Sequence, residues 1–416
     1  MTEETPTGAS SRLSNLLTIF AVALRLGLTS FGGPIAHIGF FHQEYVVNRR
    51  WLTERRFSDL VALCHFLPGP TSSQVGIAVG ITRGGILGGI LAWIAFTAPS
   101  AAILIAFAVG VTELDNLTFG EWDIKLIKDT ALNGLKIAAV AVVAQALWGM
   151  GITLAPDRAR ATVAIIAAIG ILLYPFAIGI VLVILLAGVY GWRNFHRYVA
   201  DSPAEDTSYA IPKAIGIASA LFFSILLIGL PIARTILDID ILAIFDSFFR
   251  SGSLVFGGGH VVLPTLESEV VQNGWVTTEQ FIAGYGASQA IPGPLFTFSV
   301  YLGTVMDVGP GGIPGALIAL IAIFLPSFLL VIAILPFWNQ LSQATNFRAA
   351  LVAINAAVVG ILAAALFDPV WTSSIKQPQD FALAAAAFGL LMFWKLPSWL
   401  VVIFCAAAGI GLSSVT

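Results

Sequence analysis

Long apolar stretches fill most of this chain, and its polar residues fall in short, spaced clusters. Stretches able to span a bilayer run roughly at 15–40, 58–80, 84–111, 130–152, 213–237, 241–263, 281–303, 312–337 and 347–370. A helix needs about 20 apolar residues to cross the hydrocarbon. Two longer runs, 159–192 and 381–413, carry Tyr174-Pro175 and Lys395-Leu396-Pro397 near their centres. Proline breaks a helix and biases its predecessor away from helical geometry, so each run predicts a tight pair of short helices. The pattern gives six segments, one connecting segment at 213–237 and six more, about 13 in all. An even set followed by one extra span re-enters from the opposite side, so the two sets are expected to be inverted-topology repeats. The expected fold is an all-α polytopic membrane protein with broken helices at a central anion site. Its divisions are a polar tail at 1–14, a first repeat at 15–192, a polar linker plus connecting span at 193–240, and a second repeat at 241–416.

The halves also repeat in residues. Residues 25–70 contain R-L-G-L-T-S-F-G-G-P, H-Q-E, R-R-W-L-T-E-R-R-F and L-P-G-P. Residues 250–294 contain R-S-G-S-L-V-F-G-G-G-H, E-S-E, G-W-V-T-T-E-Q-F and I-P-G-P. Arg25/Arg250, Phe31/Phe256 and Glu44/Glu269 stand 225 positions apart, and Trp51/Trp275, Phe57/Phe281 and Pro68/Pro292 stand 224 apart. Ala98-Pro99-Ser100 matches Leu325-Pro326-Ser327, and small-residue segments around Lys136 and Asn355 match as well. Small residues at that spacing allow close helix packing.

Composition agrees with a membrane setting. The chain is 58% hydrophobic and 10% charged, against about 25% charged in soluble domains, and its mean hydropathy is +0.92. A net charge of −3 gives no nucleic-acid footprint. Cys64 and Cys405 share no metal-like spacing, and no disulfide framework or cofactor is expected. The acidic start M-T-E-E-T lacks the basic region of a cleaved signal peptide, so the first helix is expected to be retained. Four arginines (49, 50, 55, 56) lie in the first block, where the second carries Glu267, Glu269 and Glu279. Other Lys and Arg positions favour a cytoplasmic N-terminus and a periplasmic C-terminus, which leaves those four arginines partly lining a cavity.

The repeated breaks carry the candidate chemistry. Pro68-Gly69-Pro70 and Pro292-Gly293-Pro294 cannot continue a helix. At membrane depth such backbone is tolerated only inside protein or beside a wet cavity. The helix that restarts after each turn points free N–H groups and a positive dipole end inward, a ready anion site. Thr71, Ser72, Ser73 and Gln74 add polar groups there, as does Thr297 in the second copy. A simple kink or surface turn is the alternative. Gly32-Gly33 and Gly257-Gly258 form the second break, or else serve close helix packing. Arg25 and Arg250 precede these breaks inside apolar sequence, where charge costs at least ~2.5 kcal/mol. They either snorkel or offer a fork of donors to an oxyanion. Glu44 and Glu269 either switch by binding protons or pair with neighbouring arginines. His37, His65 and His260 are candidates for proton relay or gating, with His65 in register with Gln289. A packing histidine is the bland reading of each.

These motifs resemble the chromate ion transporter family in its long, two-domain form, over nearly the whole chain. The residues carrying the resemblance are Arg25, Gly32, Gly33, Pro34, Glu44, Trp51, Pro68, Gly69, Pro70 and Gln74, with Gly257, Gly258, Pro264, Trp275, Pro292, Gly293 and Pro294. His65 departs from the family's glutamine, which Gln289 supplies in the other half. The resemblance implies chromate efflux across a bacterial inner membrane, chromate resistance and two oppositely oriented halves. Sulfate, a similar tetrahedral dianion, is a related substrate. The partners so implied are a dianion and the bilayer, with proton coupling and a homodimer left open. No G-x-x-x-x-G-K-[ST] motif is present, so the drive would be an ion gradient or the membrane potential. Rival readings are a sulfate importer and an anion channel. No metal cluster, paired haem-type histidines or nucleophile motif supports an enzyme.

Overall fold

A computed structural model describes residues 9–31, 33–113, 124–174, 177–198, 211–256, 262–341 and 344–413. Every regular element among them is helical, and the chain is an all-α polytopic membrane protein. The first half holds α1 (Ala9–Thr29), α2 (Gly33–Phe41, continued by a π-helical turn His42–Asn48), α3 (Glu54–Phe66), α4 (Thr71–Glu113), α5 (Ile124–Leu154), α6 (Arg158–Leu173) and α7 (Ala177–Asn194). After α8 (Lys213–Ile236) come α9 (Asp240–Ser253), α10 (Val262–Val270), α11 (Thr278–Ser288), α12 (Phe298–Val305), α13 (Gly312–Ile334), α14 (Trp338–Leu341) and α15 (Thr345–Ala365). The chain closes with α16 (Thr372–Ser374), α17 (Pro378–Met392) and α18 (Ser398–Ser413). Among the described residues six helices are long and apolar enough to cross a membrane, with four shorter apolar ones beside them.

Segments that read as single spans are broken pairs. The 58–80 segment is the end of α3, a turn, and the first limb of α4. Within α4 the chain reverses at Gly85, whose φ of 66° is open to glycine but strained for other residues. The Arg83 guanidinium lies 5.3 Å from the Trp51 ring, and Asn15 Nδ2 donates to the Arg83 carbonyl at 2.7 Å. These contacts set the starts of α1 and α3 level with the α4 turn, so α3 and the first limb of α4 form an antiparallel pair. The second half repeats the arrangement: the Asp307 N–H donates to the Trp275 carbonyl at 3.0 Å, bringing the end of α12 back to the start of α11. α3 has 13 residues, about 20 Å of helix, short of a hydrocarbon core of about 30 Å.

Local sequence explains why α3 and α11 begin where they do. Thr53 and Thr277 are their N-caps, accepting from the Arg56 and Gln280 N–H groups at 3.3 and 3.2 Å. Each cap contributes about 1 kcal/mol. The proline-centred runs end helices as their sequence requires: α6 stops at Leu173 and α17 at Met392.

The halves exchange helices. α15 packs between α6 and α7 of the first half, and α5 packs between α17 and α18 of the second. Small residues permit this, with Gly360 against Ala164 and Gly134 against Cys405 backbone to backbone. One apolar core gathers α1–α4, and a larger one gathers α9–α13 with α5 and the closing helices. α8 connects the halves and leaves most of its apolar surface outward, as a lipid-facing helix does.

Candidate functional site

Each Pro-Gly-Pro turn docks on the break of the opposite half. The Gly69 N–H donates to the Val255 carbonyl at 2.6 Å, and the Gly293 N–H donates to the Ser30 carbonyl at 2.9 Å. Ser30 and Val255 hold the same register, one residue before Phe31 and Phe256, so the crossing is reciprocal. Gly69 and Gly293 have φ of 120° and 104°. A Cβ at Gly69 would stand 2.7 Å from Ser327 Oγ, and one at Gly293 would stand 2.8 Å from Ser100 Oγ. Each turn therefore also touches the Pro-Ser kink of the other half's long helix.

Polar side chains crowd this crossing from the first half. α4 restarts at Thr71, and Thr71, Ser72, Ser73 and Gln74 are all buried. Gln74 Nε2 donates to the Pro68 carbonyl at 2.6 Å. His37, on α2, is 1% exposed. Its Nδ1 lies 3.2 Å from Ser72 Oγ, and its ring meets Phe96 edge-on at 5.5 Å. Ser30 Oγ, His37 Nε2, Ser73 Oγ, Gln74 Oε1, Thr97 Oγ1 and Ser327 Oγ are buried without a hydrogen-bond partner. Each such group costs about 1–3 kcal/mol. Native folds hold few of them, and those they hold call for an explanation such as function. Of those here, Ser73 and Gln74 lie in the first turn of α4, His37 contacts Ser72 there, and Ser327 faces Gly69 just before it; the first N–H groups of that helix have no intrahelical acceptor, so an anion is favoured.

The arginines sit in ion pairs. Arg25 Nη1 is 4.0 Å from Glu44 Oε2. Glu44 also accepts from Arg49 Nε at 2.7 Å and Asn48 Nδ2 at 3.0 Å. Arg250 Nη2 donates to Asp246 at 2.6 Å and to Glu269 at 3.1 Å. Arg234, from α8, lies 3.4 Å from Asp246 and 3.8 Å from Glu269, and Ser247 Oγ donates to Glu269 at 2.9 Å. Each repeated arginine is thus held by its register-matched carboxylate. Trp51 is overlaid by Arg49 and Arg83, and Trp275 by Arg234.

Other expected site residues are placed less centrally. Pro68, Pro70, Pro292 and Pro294 shape the turns, and Gly33 opens α2. Thr297 Oγ1 donates to its own Pro294 carbonyl at 2.6 Å. Gln289 caps the C-terminus of α11, its carbonyl accepting from Ser398 Oγ at 3.1 Å and its Nε2 buried without a partner. His65, in the matching register, is exposed and its Nδ1 lies 2.8 Å from the carbonyl of Val61, one turn earlier in its own helix. Gly32, Gly257, Gly258 and His260 lie outside the described residues. Among the described residues no group of three or more His, Cys, Asp or Glu could hold a metal.

Sequence reasoning missed Ser30, Thr97, Asp246 and Arg234. Duplication was its filter, and these four have no polar mate: the register opposite them holds Val255, Phe324 and Ala21, while α8 lies between the repeats.

A family model described as Chromate transporter matches residues 17–192 and 242–410. A chromate transport protein of Pseudomonas aeruginosa is 28% identical over 94% of this chain and 90% of its own. A probable chromate transport protein of Synechococcus elongatus is 26% identical over 93% of each chain. A chromate transport protein of Cupriavidus metallidurans is 24% identical over 93% of this chain and 90% of its own. No solved structure matches.

Proposed function

Because the chain belongs to the chromate transporter family, we propose that it carries chromate across the bacterial inner membrane as a secondary transporter, in the direction of export. The observation that carries this reading is the reciprocal crossing, in which two helix-breaking turns meet two helix breaks beside unpaired buried donors. A site of that kind at the junction of two halves suits a substrate handed from one side to the other.

In this reading the halves are inverted repeats. α1–α2 and the α3–α4 pair dip in from the cytoplasmic face, and α9–α10 and α11–α12 dip in from the periplasmic face. The antiparallel contacts at Trp51 and Trp275 support re-entrant pairs in both halves, which keeps the termini on opposite sides. Rocking of the halves exposes the crossing alternately. Arg25 and Arg250 serve as cations at the two mouths, released from Glu44 and Glu269 as each side opens. Protonation of either carboxylate favours release, which is where a proton gradient could couple. With the inside negative, a departing dianion gains about 4.6 kcal/mol per 100 mV, so the potential alone can drive export.

Chromate flux into inverted membrane vesicles, with and without an imposed potential, tests this. Wild type should accumulate chromate in a potential-dependent way, with sulfate competing. Arg25→Ala and Arg250→Ala should each lose most of the flux. No chromate movement refutes export; flux that survives both substitutions removes the arginines from the pathway.

A further inference from the structure

The backbone at the crossing is pseudo-symmetric, but its side chains are not. The reciprocal bonds at Gly69 and Gly293 fix which residues correspond. Gly27 against Phe96 and Gly252 against Ile323 fix the register of the long helices. On that basis Ser30, His37, Ser72, Gln74 and Thr97 correspond to Val255, Val262, Phe296, Phe298 and Phe324. The first five are polar and buried, and the second five are apolar and at most 1% exposed. Phe296 and Phe324 pack together at 5.9 Å, and Phe298 packs on Phe281 and Tyr285. Ser73 Oγ has no partner, whereas its mate Thr297 bonds its own turn. Besides Ser327, and Arg250, Asn355 and Ser374 elsewhere, the second half holds unpartnered buried atoms on Ser251, Gln289 and Ser299. The register mates of these last three are Leu26, His65 and Val75, so they do not rebuild the polar set.

We infer that the chain binds one tetrahedral dianion, not two, and binds it off the symmetry axis between Ser30, His37, Ser72 and Ser73 at the start of α4. The inference rests on the transport reading and gives that reading its binding residues. Four oxygens of a sulfate-like ion can each accept hydrogen bonds, and this cluster supplies hydroxyl and imidazole donors plus the free N–H groups of the helix start. The equivalent positions in the second half hold Val255, Val262 and Phe296, which offer no donor, and Thr297, whose hydroxyl bonds its own turn. That half contributes only Ser327 and the Val255 carbonyl that positions Gly69. Glu44, the nearby carboxylate of the same half, is taken up by Arg49, Asn48 and Arg25.

Equilibrium dialysis of the purified full-length protein with radiolabelled sulfate and with chromate tests the inference. Wild type should bind one ion per chain. Ser73→Ala, Ser30→Ala and His37→Gln should each weaken binding at least tenfold. Val262→Ala and Phe324→Leu, the mates of His37 and Thr97, should change it less than about twofold. Size-exclusion and thermal melts identify any variant that misfolds; Ser73→Ala, which removes a single oxygen, then decides. Two ions per chain, or equal losses in both halves, overturns the single off-axis site and leaves transport standing. A wild type that binds neither ion overturns the transport reading and this inference with it.

Discussion

The two halves share a backbone plan and differ in what they place on it. In the first, the break and the turn are lined with unpaired polar groups, and the ion pair is loose: Arg25 is 70% exposed and 4.0 Å from Glu44. In the second, the matched lining is apolar, and Arg250 is locked by two carboxylates that are 2% and 7% exposed, with Arg234 of the connecting helix beside them. On the proposed reading, one half holds a polar ligand and the other anchors the scaffold around it. Duplication can supply a frame that meets itself, and divergence of a few side chains can then turn one of two equivalent positions into a site.

The anchoring role predicts the largest stability difference. Arg250→Ala leaves Asp246 and Glu269 buried with Arg234 as their remaining cation and the Ser247 hydroxyl on Glu269, and breaking a buried pair costs about 3–5 kcal/mol. Denaturant unfolding in detergent should show a loss of that order. Equal stability of Arg250→Ala and wild type would break the comparison. Ser219→Ala removes a hydrogen bond from α8 to the Leu329 carbonyl at 2.8 Å and should cost about 1 kcal/mol. Arg25→Ala should cost about 0–1 kcal/mol, because the arginine is mostly exposed and Glu44 keeps Arg49 and Asn48. A loss from Arg25→Ala as large as that from Arg250→Ala would mean that the first half anchors too.

Much of this was legible in the sequence, because helix breakers and repeats are local signals. Tyr174-Pro175 and Lys395-Leu396-Pro397 read as ends of short helices, and α6 and α17 stop there. Pro-Gly-Pro read as a break with a helix restarting behind it, as α4 does at Thr71. Hydropathy could not tell that residues 58–80 turn back on themselves, since a span and a hairpin of half-length helices are equally apolar. That information lies in tertiary contacts such as Arg83 on Trp51. The pairing of Arg25 with Glu44 and Arg250 with Glu269 was open from sequence, and geometry decides it for this conformation. Ser30 and Thr97 stayed invisible because each is one hydroxyl among many in apolar helices. Only their burial without partners singles them out.

The central claim is that both turns must dock for an oxyanion to pass, and chromate flux in proteoliposomes tests it most directly. Gly69→Ala and Gly293→Ala each force a Cβ to within 2.7 or 2.8 Å of the opposing serine hydroxyl, at backbone angles alanine disfavours. With a potential imposed, wild type should carry chromate, and each glycine variant should lose at least tenfold in rate while remaining folded. Wild-type flux from either folded variant would contradict the account, because one half would then be carrying the ion without the other.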